Sequence, residues 1–116
     1  MKKRYRIKKS SEIDAIFKKK NIKGDSCFAI YQAEDLNATH FRFALSIGRK
    51  YGNAVERNLA KRRLRMIVHE LSHQFIKNKL FVIVIKPTAK KLTFQEMKEK
   101  ITSILEKSKL MEITNE

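Results

Sequence analysis

Between Asn53 and Arg65 the chain places Arg57, Asn58, Lys61, Arg62 and Arg65 at spacings of three and four residues. On a helix turning ~100° per residue these side chains project into one arc of roughly 140°. Cations four residues apart repel one another and stabilise nothing on an isolated helix. A solvated basic face is the plain reading of such a run; an anionic partner explains why the charges are gathered. Guanidinium groups, which predominate here, fit phosphate with two parallel hydrogen bonds. Just upstream, Arg49 and Lys50 flank the start of the helix, where free backbone N–H groups also suit phosphate.

A second pattern, His69-Glu70-Leu71-Ser72-His73, has the H-E-x-x-H spacing of zinc hydrolases. It would put both imidazoles on one helical face with Glu70 as general base. A catalytic zinc also needs a third protein ligand. No histidine follows to supply it, so Glu96 or Glu99 would have to serve. Short patterns of this kind recur by chance, and a small zinc hydrolase is the remote reading; no zinc is expected. Phe17 and Tyr31 are candidate stacking platforms for the bases of a single strand, with Arg42 or Arg49 for its phosphates. Phe28, Phe43 and Phe81 are assigned to the core.

The elements that must position these groups follow from composition and periodicity. With 116 residues, 42% of them apolar, the chain suits one domain with a modest core. Lys and Arg number 27 against 12 Asp and Glu, a net charge of +15. A body this small repels itself at that charge unless a polyanion neutralises it; nucleic acid is the leading partner and an anionic membrane surface the second. The longest apolar run, Leu80 to Ile85, is far short of the roughly 20 residues a bilayer requires, so no membrane partner is expected. The basic start Met1-Lys2-Lys3-Arg4 is followed by no apolar stretch, which argues against a signal peptide and for a cytoplasmic protein. The single cysteine, Cys27, excludes an intramolecular disulfide and reads as a buried thiol.

Residues 1–9 form a basic arm. Ser10 or Ser11 can cap a short helix whose Ile13, Ile16 and Phe17 share one side, with Lys18 to Lys20 at its C-terminal end. Cys27 to Ala33 and His40 to Ile47 read as strands, and the turn chemistry of Glu34-Asp35-Leu36-Asn37 predicts that they pair as a hairpin. Asn53 can cap the long basic helix, expected to reach Lys77, with Ala60, Leu64, Ile67, Val68 and Leu71 on its core side. Leu80 to Ile85 is apolar on both faces, as an interior strand is. Thr93 and Glu96 make a capping box for a last helix through Lys107. One further short strand is expected near residues 21–26. The sequence predicts a single α+β domain over 1–116: a short N-terminal helix, a small mixed sheet of three to four strands, the long basic helix, and a C-terminal helix.

The run Lys50-Tyr51-Gly52-Asn53-Ala54-Val55, then Arg57-Asn58, Lys61-Arg62 and Arg65, resembles the signature helix of the bacterial ribonuclease P protein component. The likeness extends over the basic arm, the Phe17 helix, the strand ending near Tyr31, and the strand Phe81 to Ile85 leading to Pro87. It implies an α+β domain whose signature helix lies in a left-handed crossover between parallel strands. It also implies a catalytic RNA subunit using magnesium, and a protein that holds the 5′ leader of precursor tRNA in a cleft between the first helix and the sheet. Carried over by position, Arg57, Asn58, Lys61, Arg62 and Arg65 belong to the RNA-facing helix, and the cleft includes Ile13, Phe17 and Tyr31. The resemblance implies no catalytic residue in the protein, which is expected to act as a monomer within the complex. Leu59 stands where the family commonly has a cation, and Ile13 where an aromatic is usual. A general single-stranded or structured RNA-binding module is the alternative reading.

Overall fold

The computed structural model describes residues 3–111. Helix α1 spans Ser10–Lys18, strands β1 to β3 span Ile22–Gly24, Phe28–Glu34 and Arg42–Ile47, and α2 spans Ala54–Leu71; strand β4, Lys79–Ile85, and helix α3, Phe94–Lys107, complete the fold. The strands form one sheet in the order β1-β2-β4-β3.

The expected hairpin between β2 and β3 does not form. Strand β4 lies between them, antiparallel to β2 from Phe28↔Ile85 to Glu34↔Lys79 and parallel to β3 from Arg42↔Leu80 to Ile47↔Ile85. The physical reason lies in β4 itself. Phe81, Val82 and Ile83 are fully buried, so this strand needs a neighbour on each edge as well as cover on each face. The turn predicted after Glu34 is present, with the Asp35 carboxylate accepting from the Asn37 N–H at 3.1 Å. It leads the chain past β4 rather than back along β2. The crossover β3-α2-β4 then joins parallel neighbours. The short strand expected near residues 21–26 is β1, paired antiparallel with β2. At its end a Cβ on Gly24 would come within 2.5 Å of the Phe28 carbonyl oxygen, so only glycine fits there.

Alternation along β4 divides the core. Phe81, Ile83 and Ile85 join Phe28, Ile30 and Phe43 beneath α2 and α3, while Val82 and Ala44 lie beneath α1 with Ile16 and Ile7. The core side of α2 is the one periodicity assigns: Ala60, Leu64, Ile67, Val68 and Leu71 are buried. Asn53 caps α2 in a reciprocal box with Glu56, and Thr93 does the same with Glu96 for α3. Cys27 is a buried free thiol.

Three further expectations need correction. Helix α1 begins at Ser10 itself, with Lys9 at the cap position and no side-chain cap bond. Helix α2 stops at Leu71 instead of Lys77, followed by a 3-10 turn over Ser72–Gln74. The chain must leave the helix there to bring Phe75 into the core, 4.6 Å from Phe41 and 5.1 Å from Phe81 between ring centres. The basic arm is partly built into the fold: the Ile7 N–H donates to the Phe43 carbonyl at 2.8 Å, and Tyr5 stacks on Phe41. Of that arm, Met1 and Lys2 lie outside the described residues.

Phe81 is the keystone of this packing, with no exposure and stacked neighbours in Phe43 and Phe75. Phe81→Ala is expected to lower the unfolding free energy by about 3–5 kcal/mol, measured by urea denaturation of the purified chain.

Candidate nucleic-acid interface

Because the buried residues of α2 fix its rotation on the sheet, the basic arc is turned toward the free edge of β3. Lys61 and Arg65 reach that edge and line a hollow of about 150 Å³ with Ile7, Ile13, Ala44 and Leu45. Arg6 lines it too. It is brought there by a parallel bridge to Phe43, which lays the N-terminal segment along β3. A second hollow, about 340 Å³, is lined by Arg6, Arg62, Arg65, Met66 and His69. Arg6 was not singled out by the sequence reading. Its only signal was membership of a basic arm, and strand-edge pairing is what makes it part of the site. Asn58 and Arg62 are exposed, while Arg57, Lys61 and Arg65 are half-buried.

These cations are not neutralised from within. The ion pairs formed among the described residues join Arg42 to Glu12, Lys79 to Glu34, Lys90 to Glu56, Lys98 to Glu70 and Lys100 to Asp25. None involves Arg6, Arg57, Lys61, Arg62 or Arg65. The Nε atoms of Arg6 and Arg57 are buried without a hydrogen-bond partner among the described residues. Burial, and then the charge of Arg6, lower the pKa of Arg65 from the usual guanidinium value. The edge therefore carries unrelieved like charge in a partly dry setting, where a phosphate would interact most strongly.

Arg49 and Lys50 are exposed in a 3-10 turn, Arg49–Tyr51, just before the α2 cap. The helix start is less open to phosphate than its sequence suggests. The Asn53 side chain occupies the Glu56 N–H at 2.8 Å, and the Glu56 carboxylate is held there by Lys90 at 2.5 Å. Lys90, and then the Asn53 N–H, hold the Glu56 carboxyl below its ordinary pKa. Leu59 is 42% exposed, and Arg63 lines the same shallow hollow beside it.

The cleft candidates lie on the opposite face of the sheet, under α1. Phe17 and Tyr31 meet edge to face at 4.7 Å, both half-buried. Beside Tyr31 the floor continues through the half-buried Val84 and Ser46, which lie opposite each other on β4 and β3. Ile13 sits at the other end of α1, over β3, and lines the smaller basic hollow. Arg42 is not available as a free phosphate ligand: two hydrogen bonds of 3.1 Å tie its guanidinium to Glu12. That pair fastens the start of α1 to β3. Phe17 and Tyr31 are thus brought together, whereas Arg42 is set apart as a brace.

The H-E-x-x-H residues are dispersed by the end of α2. His69 is in its last turn, His73 lies beyond it in the 3-10 segment, and Glu70 pairs with Lys98 at 2.8 Å. Among the described residues no group of three His, Cys, Asp or Glu side chains is placed to hold a metal. No described helix is long and apolar enough to cross a membrane.

Fold and site together define a small α+β protein with a basic crossover helix, uncompensated among the described residues, on one side of its sheet and a half-buried aromatic pair under α1 on the other. Known proteins place it further. Residues 1–109 match the family model for ribonuclease P. The chain is 49% identical to the ribonuclease P protein component of Phytoplasma australiense over 111 residues, covering 96% of each. It is 46% identical to that of Acholeplasma laidlawii, covering 97% of this chain and 96% of its relative. An RNase P protein from Staphylococcus aureus superposes with a TM-score of 0.85 at 29% identity, covering 92% of this chain and 97% of that one. The chain belongs to the ribonuclease P protein family.

A cation whose pKa is lowered on folding costs stability while it stays charged. Arg65→Gln is accordingly expected to raise the melting temperature by roughly 2–4 °C at low ionic strength, with the gain shrinking as salt screens the charges. Melting curves at two salt concentrations check this.

Proposed function

We propose that the chain is the protein subunit of ribonuclease P, binding the catalytic RNA along α2 and the β3 edge and the 5′ leader of precursor tRNA in the α1 cleft. The observation that carries this reading is the distribution of charge. The fold gathers Arg6, Lys61, Arg62 and Arg65 around two adjoining hollows, with Arg57 one turn away on α2, and none of the five has an acidic partner among the described residues. Such a surface gains most from phosphates, whose counterions are released on binding.

In this reading the protein contributes binding and positioning. Arg57, Asn58, Lys61, Arg62 and Arg65 hold the RNA subunit, with Arg49 and Lys50 extending the contact beyond the start of α2. Tyr31 and Phe17 offer ring surface to unstacked bases of the leader, each stacked base being worth roughly 1–3 kcal/mol with little sequence preference. Arg42 acts indirectly, holding α1 through Glu12 so that the cleft keeps its width. Cleavage is a magnesium-assisted phosphodiester hydrolysis assigned to the RNA subunit, leaving a 5′-phosphate on mature tRNA. The protein works as a monomer in the complex, in the cytoplasm.

The deciding assay is cleavage of a leader-bearing precursor tRNA by a bacterial ribonuclease P RNA at low magnesium, with and without the protein. Restored cleavage by a protein inert alone is the expected result. Binding without any effect on cleavage would make a general RNA-binding module the better account. Lys61→Ala should weaken RNA binding at low salt and reduce the slope of log affinity against log salt by about one. Tyr31→Ala should reduce affinity for precursor bearing a leader by roughly tenfold, and for mature tRNA much less. An equal loss on both substrates in a binding titration would make Tyr31 structural.

A further inference from the structure

The outer side of α2 is not basic throughout. Val55, Leu59 and Met66 are 77%, 42% and 52% exposed. At ~100° per residue the three fall within an arc about 40° wide, roughly 140° around the helix from the centre of its core side. They form a stripe about 16 Å long. Asn58 and Arg62 border it on one side and Arg63 on the other. Met66 also lines the larger basic hollow with Arg6, Arg62 and Arg65, so the stripe runs into the cationic edge.

Leu59 lines a shallow hollow beside the core residues Tyr51 and Ala60, whereas Val55 and Met66 stand more than half exposed, and an exposed valine is a poorer helix former than alanine or lysine. The flanking cations settle what could cover them. Arg62 on one side and Arg63 on the other have no acidic partner among the described residues, while Glu56 and Glu70 on the Arg63 side are already paired with Lys90 and Lys98, so the border of the stripe favours a polyanion. The polyanion must also offer flat apolar surface. Paired RNA hides its base faces, whereas loops and bulges splay them outward, where apolar side chains and guanidinium planes receive them. The stripe lies on α2, on the other side of the sheet from the Phe17–Tyr31 pair under α1.

We propose that the Val55–Leu59–Met66 stripe is a contact for unstacked bases of the RNA subunit, giving its affinity a component that salt does not screen. This rests on the reading of the chain as a ribonuclease P subunit. The two contributions separate because phosphate contacts set the salt slope and apolar contacts do not.

The test titrates the full chain against a bacterial ribonuclease P RNA, and against a control RNA of equal length, over a range of potassium chloride. The variants are Arg62→Ala and the triple Val55→Gln, Leu59→Gln, Met66→Gln; glutamine is a good helix former, and melting curves verify folding. Met66→Gln alone serves if the triple is destabilised. The triple is expected to bind the ribonuclease P RNA at least about tenfold more weakly at every salt concentration with an unchanged slope. Arg62→Ala is expected to make the slope shallower. Selective binding by the unaltered chain with no loss in the folded stripe variant overturns this inference alone. No preference by the unaltered chain for ribonuclease P RNA overturns the functional reading and this inference with it. The inference also fails if the stripe variant keeps its RNA affinity but abolishes either self-association in sedimentation or binding to phosphatidylglycerol vesicles.

Discussion

Strand β4 cannot be satisfied by a two-layer structure. Its side chains are apolar on both faces, and Phe81, Val82 and Ile83 have no exposure, so protein must cover the sheet above and below. Helices α2 and α3 cover one face and α1 the other. Pairing on both edges of β4 then makes β3 the outer strand of the sheet. An exposed strand edge invites unwanted pairing. Here it is partly covered by the N-terminal segment at Phe43 and flanked by Lys61 and Arg65. The same event that protects the edge delivers Arg6 to the basic surface, so sheet completion and assembly of the site are one process.

A fold this small must hold these cations together with a limited core. The arrangement of acidic residues shows how. Glu12, Glu34, Glu56 and Glu70 each pair with a cation that fastens one element to another: α1 to β3, β2 to β4, α2 to the turn before α3, and α2 to α3. Exposed pairs of this kind contribute little stability individually. Each removes one positive charge from the surface, and none of them is spent on Arg6, Lys61 or Arg65 at the β3 edge. Burial of Arg65, and then its repulsion from Arg6, lower its pKa and so cost stability in the free protein.

Much of this was legible in the sequence, for reasons that also explain what was not. The core side of α2, the two-faced burial of β4 and the capping box at Thr93 follow from local periodicity and short-range hydrogen bonding, which a sequence displays directly. Strand order does not. The turn after Glu34 was recognised correctly, yet it says nothing about whether the next strand returns to β2 or passes beyond β4. The end of α2 was misplaced because Phe75 leaves the helix to join Phe41 and Phe81, a demand made by residues distant in the chain. Among the site residues, the helical arc was visible from spacing alone. The brace between Arg42 and Glu12 and the arrival of Arg6 depend on contacts across 30 or more residues.

The placement of Arg42 changes how the cleft should be understood. As a free guanidinium it would have been one more candidate phosphate ligand. Bound by two hydrogen bonds to Glu12, its charge is largely compensated, and what it supplies is geometry. It fixes the first turn of α1 over β3, while the edge-to-face contact of Phe17 with Tyr31 fixes the last turn over β2. A helix of nine residues is thus fastened to the sheet by an ion pair at one end and ring packing at the other, with the buried Ile16 between them. The unpaired cations lie apart from the rings, at the β3 edge around which α1 and α2 meet. Ring faces and unpaired cations are alike in reading no base identity.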